Sequence, residues 1–506
     1  MRTNANFFLS LQQGIQASHS KLCISGPDFP ELTYLELEQL TAQTANLLKK
    51  LDLKAGARVL AQTPKTPLAI ALYLACLRAG VIYVPLNNGY TIDELDYFIE
   101  DTEPELFVCS PAQREKLEGL FNKHNISSVL ELDEAGHGSL LDSLKDLTHE
   151  HEVEPVDTDD VAVIIYTSGT TGKPKGAMLS HGNLDNNSRS LYSLWGWQKD
   201  DVLIHALPIF HIHGLFVALH AALLGGSCML FLSRFDTKQL ITLLPQATVL
   251  MGVPTFYTRL LKDDALAPAL CNNMRLFVSG SAPLLEETFK EFSERSGHQI
   301  LERYGMSETG ILASNPLNNE RIPGTVGFAL PDVTYRVCDD EGNVLSHGSI
   351  GTLQVKGPNV FKGYWRNPEK TKQEFKQDYF ITGDLVNEAD DGRISIVGRN
   401  KDLIISGGFN VYPKEIELVM DDFETIVESA VVGVSHPDFG EAVIAIVVLS
   451  DPGGDFNEQK MINMLKDQLA SYKVPKKIII QNELPRNTMG KVQKNLLREE
   501  YGKLFI

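Results

Sequence analysis

Several signals that would confine a chain of 506 residues to a narrow class are missing. Its six cysteines (Cys23, Cys76, Cys109, Cys228, Cys271 and Cys338) are scattered and include no CxxC pair. That excludes a disulfide scaffold or a zinc ribbon and fits reduced, mostly buried thiols. The longest apolar stretch, 214–232, is broken by His220 and by Gly225-Gly226, so it reads as a helix and a buried strand, not a membrane span. The N-terminus shows neither a charged start before an apolar run nor the arginine richness of a transit peptide; a cytoplasmic location is expected. Basic residues are outnumbered, 46 Lys and Arg against 65 Asp and Glu, for a net charge of −19. This argues against nucleic acid or anionic membrane as a partner. It leaves room for an anionic ligand in a locally basic pocket. There are no internal repeats, no low-complexity tracts and no GxxxxGK[ST] phosphate loop.

What remains is an ordinary globular composition, 43% apolar and 22% charged, with enough chain for two or more domains. Residues 1–55 read as largely helical, with Leu37, Leu40, Leu47 and Leu48 at helical spacing. A strand at Val59–Ala61, an apolar helix from Pro67 to Ala79 and a strand at Val81–Leu86 follow. Such alternation predicts an α/β fold with a mostly parallel, helix-flanked sheet. Residues 110–160 are polar and acidic and read as a surface excursion before a core strand at 161–165. Leu276–Pro283 and Ile300–Thr309 are strands running into tight turns, where a ligand is expected at the strands' carboxyl ends. From about 334 short, glycine-punctuated strands suggest a small β-rich subdomain. The last stretch reads as an α+β domain: a helix from Pro413, strands at 430–434 and 442–449, a helix at 457–471 and a strand at 477–480.

The segment Tyr166-Thr-Ser-Gly-Thr-Thr-Gly-Lys-Pro-Lys-Gly-Ala177 follows the core strand. Three glycines let its backbone curl, and hydroxyls with Lys173 and Lys175 could hold a polyphosphate. Taken alone, the cluster reads better as a surface turn. His211 and His213, two apart, would share a face on a strand, but a third metal ligand has no obvious candidate nearby.

The motifs at 166–177, 304–309, 379–385, 398–417 and 485–494 occur together and in order. Together they resemble the AMP-forming acyl-CoA synthetase, luciferase and peptide-synthetase adenylation superfamily, over the chain from about residue 30 to its end. Phe210–Phe216, Glu302–Glu308 and Pro485–Lys494 look like its malonate-activating branch. The resemblance implies an AMP-binding domain at 1–398, a hinge at 399–402 and a mobile domain at 403–506. It also implies a two-step ligase: a carboxylate attacks the α-phosphate of ATP, and coenzyme A then displaces AMP. Malonate is the implied acid, with methylmalonate less certain because Ile212 stands where a smaller threonine is usual. Rival readings are another short acid, or a silent relative that binds nucleotide without catalysis.

Residue roles follow from the same resemblance. Thr167, Ser168, Gly169, Thr170, Thr171, Gly172, Lys173, Lys175 and Ser307 would hold phosphates, and Glu308 would hold Mg²⁺. Gly280, Ser281, Ala282, Glu302 and Tyr304 would wall the adenine, with Asp384 and Arg399 at the ribose. Lys491 would be the adenylation lysine, regulated if a lysine acetyltransferase acts on it, and Lys401 the hinge. Gly407, Gly408 and Phe409 would receive coenzyme A. Arg303 would clamp a second carboxylate beside His211, Ile212 and Met306; alternatively it forms a structural ion pair with Glu302 or another acid. His211 would either close the pocket wall or be a satisfied buried histidine.

Overall fold

The computed structural model describes residues 4–167, 174–406, 409–437, 439–451, 456–488 and 490–506. The chain divides into two compact units. One comprises Met1–Pro323, Gly327–Thr334 and Lys356–Phe380; the other comprises Gly324–Val326, Tyr335–Val355 and Ile381–Ile506.

The first unit is α/β, as expected, and holds two sheets. In the six-stranded sheet Val129–Glu131, Leu106–Cys109, Arg58–Gln62, Ile82–Pro85 and Val161–Thr167 run parallel, and Lys175–Ser180 returns antiparallel. The nine-stranded sheet has a parallel centre of Leu22–Ser25, Cys228–Phe231, Val202–His205, Val249–Gly252, Leu276–Ser279 and Ile300–Met306. These strands are nearly continuous apolar runs because both faces are covered. The helices begin where side chains satisfy orphan N–H groups. Thr33 and Glu36 form a reciprocal capping box ahead of Tyr34–Lys50. Thr66 caps Pro67–Arg78, with proline in its first turn.

In the second unit Ile426–His436 and Gly440–Leu449 form a long antiparallel ladder extended by Ile404–Ser406, Phe409–Val411 and Lys477–Ile480. Alternation sends Val431, Val443, Ala445 and Val447 against Ile416, Met420, Met461 and Leu465. Val432, Val434, Ile444 and Ile446 face the other way, onto Leu497. The strands Thr334–Cys338, Ile350–Lys356, Tyr379–Glu388 and Ile394–Arg399 neighbour one another in a smaller sheet.

Several local readings change. Residues 1–55 are not all helix: Leu22–Ser25 is a strand, secured by parallel pairing with Cys228–Phe231. The excursion at 110–160 contains a helix, Pro111–Lys123, and an edge strand, Val129–Glu131. His211 and His213 share no strand, because His213 opens a π-helix running to Ala218. Phe409, expected to receive coenzyme A, opens the strand Phe409–Val411. A last helix, Lys494–Tyr501, follows the basic motif. Among the described residues no helix is long and apolar enough to cross a membrane.

Candidate active site

The strand Ile300–Met306 organises the site in the first unit. Its first half pairs in parallel with Leu276–Ser279, up to Ser279 opposite Glu302. From Arg303 onward it pairs antiparallel with Gly310–Ser314, with an irregularity between Tyr304 and Gly305. Arg303 therefore sits where the parallel ladder stops, at the carboxyl edge where α/β sheets bind ligands. Glycine is required at 305: a Cβ there would lie 2.1 Å from the carbonyl oxygen of Gly310.

Alternation along the strand separates Glu302 from Arg303. The Glu302 carboxylate accepts the Leu284 N–H at 3.2 Å and holds the turn after Ser279. Arg303 is 3% exposed, and among the described residues its Nε and Nη2 have no hydrogen-bond partner. The ion pair with Glu302 does not form. Burial pushes the guanidinium down to about 9, yet it keeps its charge at neutral pH.

The surroundings of Arg303 are polar, with His211 Nδ1 accepting the His213 N–H at 3.3 Å. The half-buried His211 is pushed down to about 4, first by burial and then by Arg303. Buried His213 is lowered well below the usual histidine range by the same two causes, with His211 and His205 adding to them. Both are neutral at pH 7. His213 Nδ1 lies 3.4 Å from Ser281 Oγ, leaving His213 Nε2 without a partner among the described residues, as is Ser279 Oγ. Buried polar atoms are rarely left so. Ser281 has a left-handed backbone (φ 73°), unusual for a residue with a side chain, and turns the chain away from the sheet edge. Gly280 is buried, and Ala282, Tyr304 and Met306 are half-buried along the same strand ends. Ile212 is 3% exposed and lines a cavity of ≈ 20 Å³ with Phe216, Val217 and Asn187.

The turn 307–309, carrying half-buried Ser307 and buried Glu308, closes the strand pair. Tyr364 Oη donates toward Glu308 Oε1 at 3.1 Å and Glu374 Oε2 at 2.6 Å. Glu374 in turn holds Lys175 Nζ at 3.1 Å, and that ammonium lies 4.4 Å from the centre of the Tyr364 ring. Lys175 and Lys370 help keep the Glu374 carboxyl below its usual range despite burial, alongside the Tyr364 hydroxyl. Lys175 pairs with Thr167 at the mouth of the hairpin of Val161–Thr167 and Lys175–Ser180. Ser168, Gly169, Thr170, Thr171, Gly172 and Lys173 lie outside the described residues. Tyr364 and Glu374 escaped the sequence reading; an aromatic and an acid beside Gly363-Tyr-Trp365 carry no recognisable spacing, and only the fold brings them to Lys175 and Glu308.

In the second unit Asp384 and Arg399 face each other across two strands, and Arg399 Nε meets Asp384 Oδ1 at 2.7 Å. Lys491 lies on a tight loop: its N–H donates to Asn487 Oδ1 at 3.0 Å and its carbonyl accepts from Asn487 N–H at 3.0 Å. By surface area Lys491 is an exposed residue, but the protein crowding its ammonium pushes it down to about 8. Arg399 adds to the lowering, as does Lys401; Asp384 and Asp402 oppose it. Asp402 is held by Arg498 from the last helix. Phe409 is 56% exposed and stacks on Tyr472, centroids 4.7 Å apart. Gly407 and Gly408 lie outside the described residues.

An oxygen donor set of one buried carboxylate, Glu308, suits Mg²⁺, which takes one or two protein carboxylates and completes its shell with water and phosphate oxygens.

Comparison with known proteins identifies the family. The model of the AMP-binding enzyme family matches residues 12–365, and that of the AMP-binding enzyme C-terminal domain matches 415–491. A malonate–CoA ligase of Arabidopsis thaliana is 34% identical over 481 residues, covering 88% of this chain and 78% of that protein. A feruloyl-CoA synthase from Amycolatopsis is 32% identical over 476 residues, covering 93% and 94%. The crystal structure of ATP-bound MatB from Rhodopseudomonas palustris superposes with a TM-score of 0.97 at 50% identity, over 100% of both chains. The chain belongs to the AMP-binding enzyme family, the adenylate-forming superfamily that its ordered motifs resemble.

Proposed function

We propose that this protein ligates malonate to coenzyme A at the expense of ATP, through malonyl-AMP, releasing AMP and pyrophosphate. One observation carries the choice of acid: a buried guanidinium at the sheet edge whose Nε and Nη2 lack partners among the described residues. A carboxylate entering there supplies the missing acceptors and can be held in bidentate fashion. His213 Nε2 and Ser279 Oγ add buried polar groups without partners among the described residues. The relatives named as malonate–CoA ligases support the same reading.

In the first step one carboxylate oxygen of malonate attacks the α-phosphorus of ATP, and the bond to pyrophosphate breaks. In this reading Arg303 fixes the other carboxylate, with His211, Ile212 and Met306 shaping the space around the short chain. Lys491 spans the attacking carboxylate and the α-phosphate, where charge builds up in the transition state. Ser307 donates to the α-phosphate, and Lys175 with the 167–173 loop holds the outer phosphates. Glu308 would hold Mg²⁺, which when bound offsets phosphate charge. Gly280, Ser281, Ala282, Glu302 and Tyr304 flank the adenine, and Asp384 with Arg399 binds the ribose. In the second step the thiol sulfur of coenzyme A attacks the acyl carbon, and the bond to AMP breaks. Phe409 and the neighbouring Gly407-Gly408 would receive the pantetheine arm. The functional division we retain is 1–398 and 403–506, turning about 399–402 with Lys401 as its pivot. The scattered thiols favour the cytoplasm as its setting.

The test is AMP release by the purified protein with ATP, Mg²⁺ and coenzyme A across malonate, methylmalonate, succinate, acetate, octanoate and ferulate. Malonate should lead by at least tenfold in kcat/KM. Equal or better use of acetate, octanoate or ferulate would overturn the assignment of the acid. Were a lysine acetyltransferase to act on Lys491, acetylation would remove its charge, so the acetylated protein should lose ATP–pyrophosphate exchange. Full exchange by that form would refute the role given to Lys491.

A further inference from the structure

Gly280 follows the strand Leu276–Ser279 directly, and its backbone is not in the left-handed region, so its conformation does not require glycine. Its surroundings do. A Cβ built on Gly280 would lie 2.4 Å from Cζ of Arg303, 2.5 Å from Nε and 2.7 Å from Nη1. All three distances fall inside van der Waals contact, and all three nearest atoms belong to the guanidinium. The space that a side chain at 280 would take is the space in which the cation sits.

We propose that Gly280 is a specificity-determining residue, its absent side chain forming the seat of the Arg303 guanidinium, so that the choice of a dicarboxylate is written by positions 280 and 303 together. The proposal rests on the reading of Arg303 as the carboxylate clamp. It gives Gly280 a task beyond its place on the adenine wall. The atoms that must yield to a Cβ form the far end of a flexible side chain, not backbone. A Gly280→Ala protein should therefore fold, with its guanidinium displaced from the site. Gly280 is thus a positioning residue that acts through Arg303, and its effect should vanish once the guanidinium is gone.

The test is a double-mutant cycle on the full chain with Gly280→Ala, Arg303→Ala and the pair, reading kcat/KM for malonate and for acetate, KM for ATP, and the melting temperature. In the Arg303-containing protein, Gly280→Ala should cut the malonate-to-acetate preference by about tenfold or more, whereas with Arg303→Ala already present it should move that preference by less than about twofold. A fall in preference of equal size in both backgrounds would overturn the seat, as would an unchanged preference accompanied by a raised KM for ATP, which would leave Gly280 to the adenine alone. An Arg303→Ala protein that keeps the wild-type preference would instead sink the clamp itself, before the seat is in question. Should Gly280→Ala fail to fold, Gly280→Ser together with Arg303→Lys, whose ammonium lacks the planar fork, reads the same coupling. An unchanged preference between Gly280→Ser,Arg303→Lys and Arg303→Lys alone supports the seat, and a further fall opposes it.

Discussion

Arg303→Met removes the cation while keeping most of the side-chain volume, and the structure sets two opposite consequences for it. In the unliganded protein the guanidinium is buried with Nε and Nη2 lacking partners among the described residues. Burial drives it well below the usual arginine range, to about 9, so the buried charge is disfavoured by several kcal/mol at about 1.4 kcal/mol per pH unit. An apolar isostere relieves that desolvation cost, so the exchange should be neutral or stabilising. The unliganded variant should accordingly unfold at an equal or higher urea midpoint. With malonate the sign reverses: its second carboxylate loses its partner in a water-poor site, a loss of about 2–5 kcal/mol, or roughly 30-fold to several thousandfold in kcat/KM. Acetate has no second carboxylate and should lose far less. The assays are urea denaturation without ligands and AMP release with each acid. A variant less stable than wild type would mean the guanidinium has an internal partner after all. Equal losses on malonate and acetate would mean it does not meet the distal carboxylate.

Three further outcomes are expected. In the proposed role the Lys491 ammonium serves the adenylation half-reaction, so ATP–pyrophosphate exchange should be full well below pH 8 and fall as pH rises through about 8; exchange that stays flat to pH 10 would oppose this. Tyr364→Phe takes away the hydroxyl shared by Glu308 and Glu374, a buried loss of about 1–3 kcal/mol; KM for ATP should rise while the malonate-to-acetate ratio holds, and an unchanged KM would remove Tyr364 from the phosphate site. Ile212→Val trims one methylene beside the ≈ 20 Å³ cavity and should raise methylmalonate use relative to malonate severalfold; an unchanged ratio would place Ile212 away from the branch.

Much of this protein was legible before any coordinates. The strand Lys477–Ile480, the helix from Pro67 and the strands at 430–434 and 442–449 were legible from local pattern, as apolar runs and, for the helix, the glycine that ends it. Motif order carried the family, because the segment 166–177, the turn at Glu308, the Asp384 strand and the Lys491 loop each hold a short fixed spacing. The strand Leu22–Ser25 was not legible, since four residues owe their extended form to a partner some 200 positions away. Nor was the split of Glu302 from Arg303. Adjacent in sequence, they could as well have paired, and only the pleat and the turn anchored by Leu284 N–H send them apart. The bridge from Lys175 through Glu374 and Tyr364 to Glu308, and the fit of a guanidinium into the space above Gly280, likewise exist only in three dimensions. Residue type and spacing determined which chemistry the chain can perform. Burial, pairing and excluded volume, which depend on residues far apart in sequence, decided which guanidinium is buried with Nε and Nη2 lacking partners among the described residues.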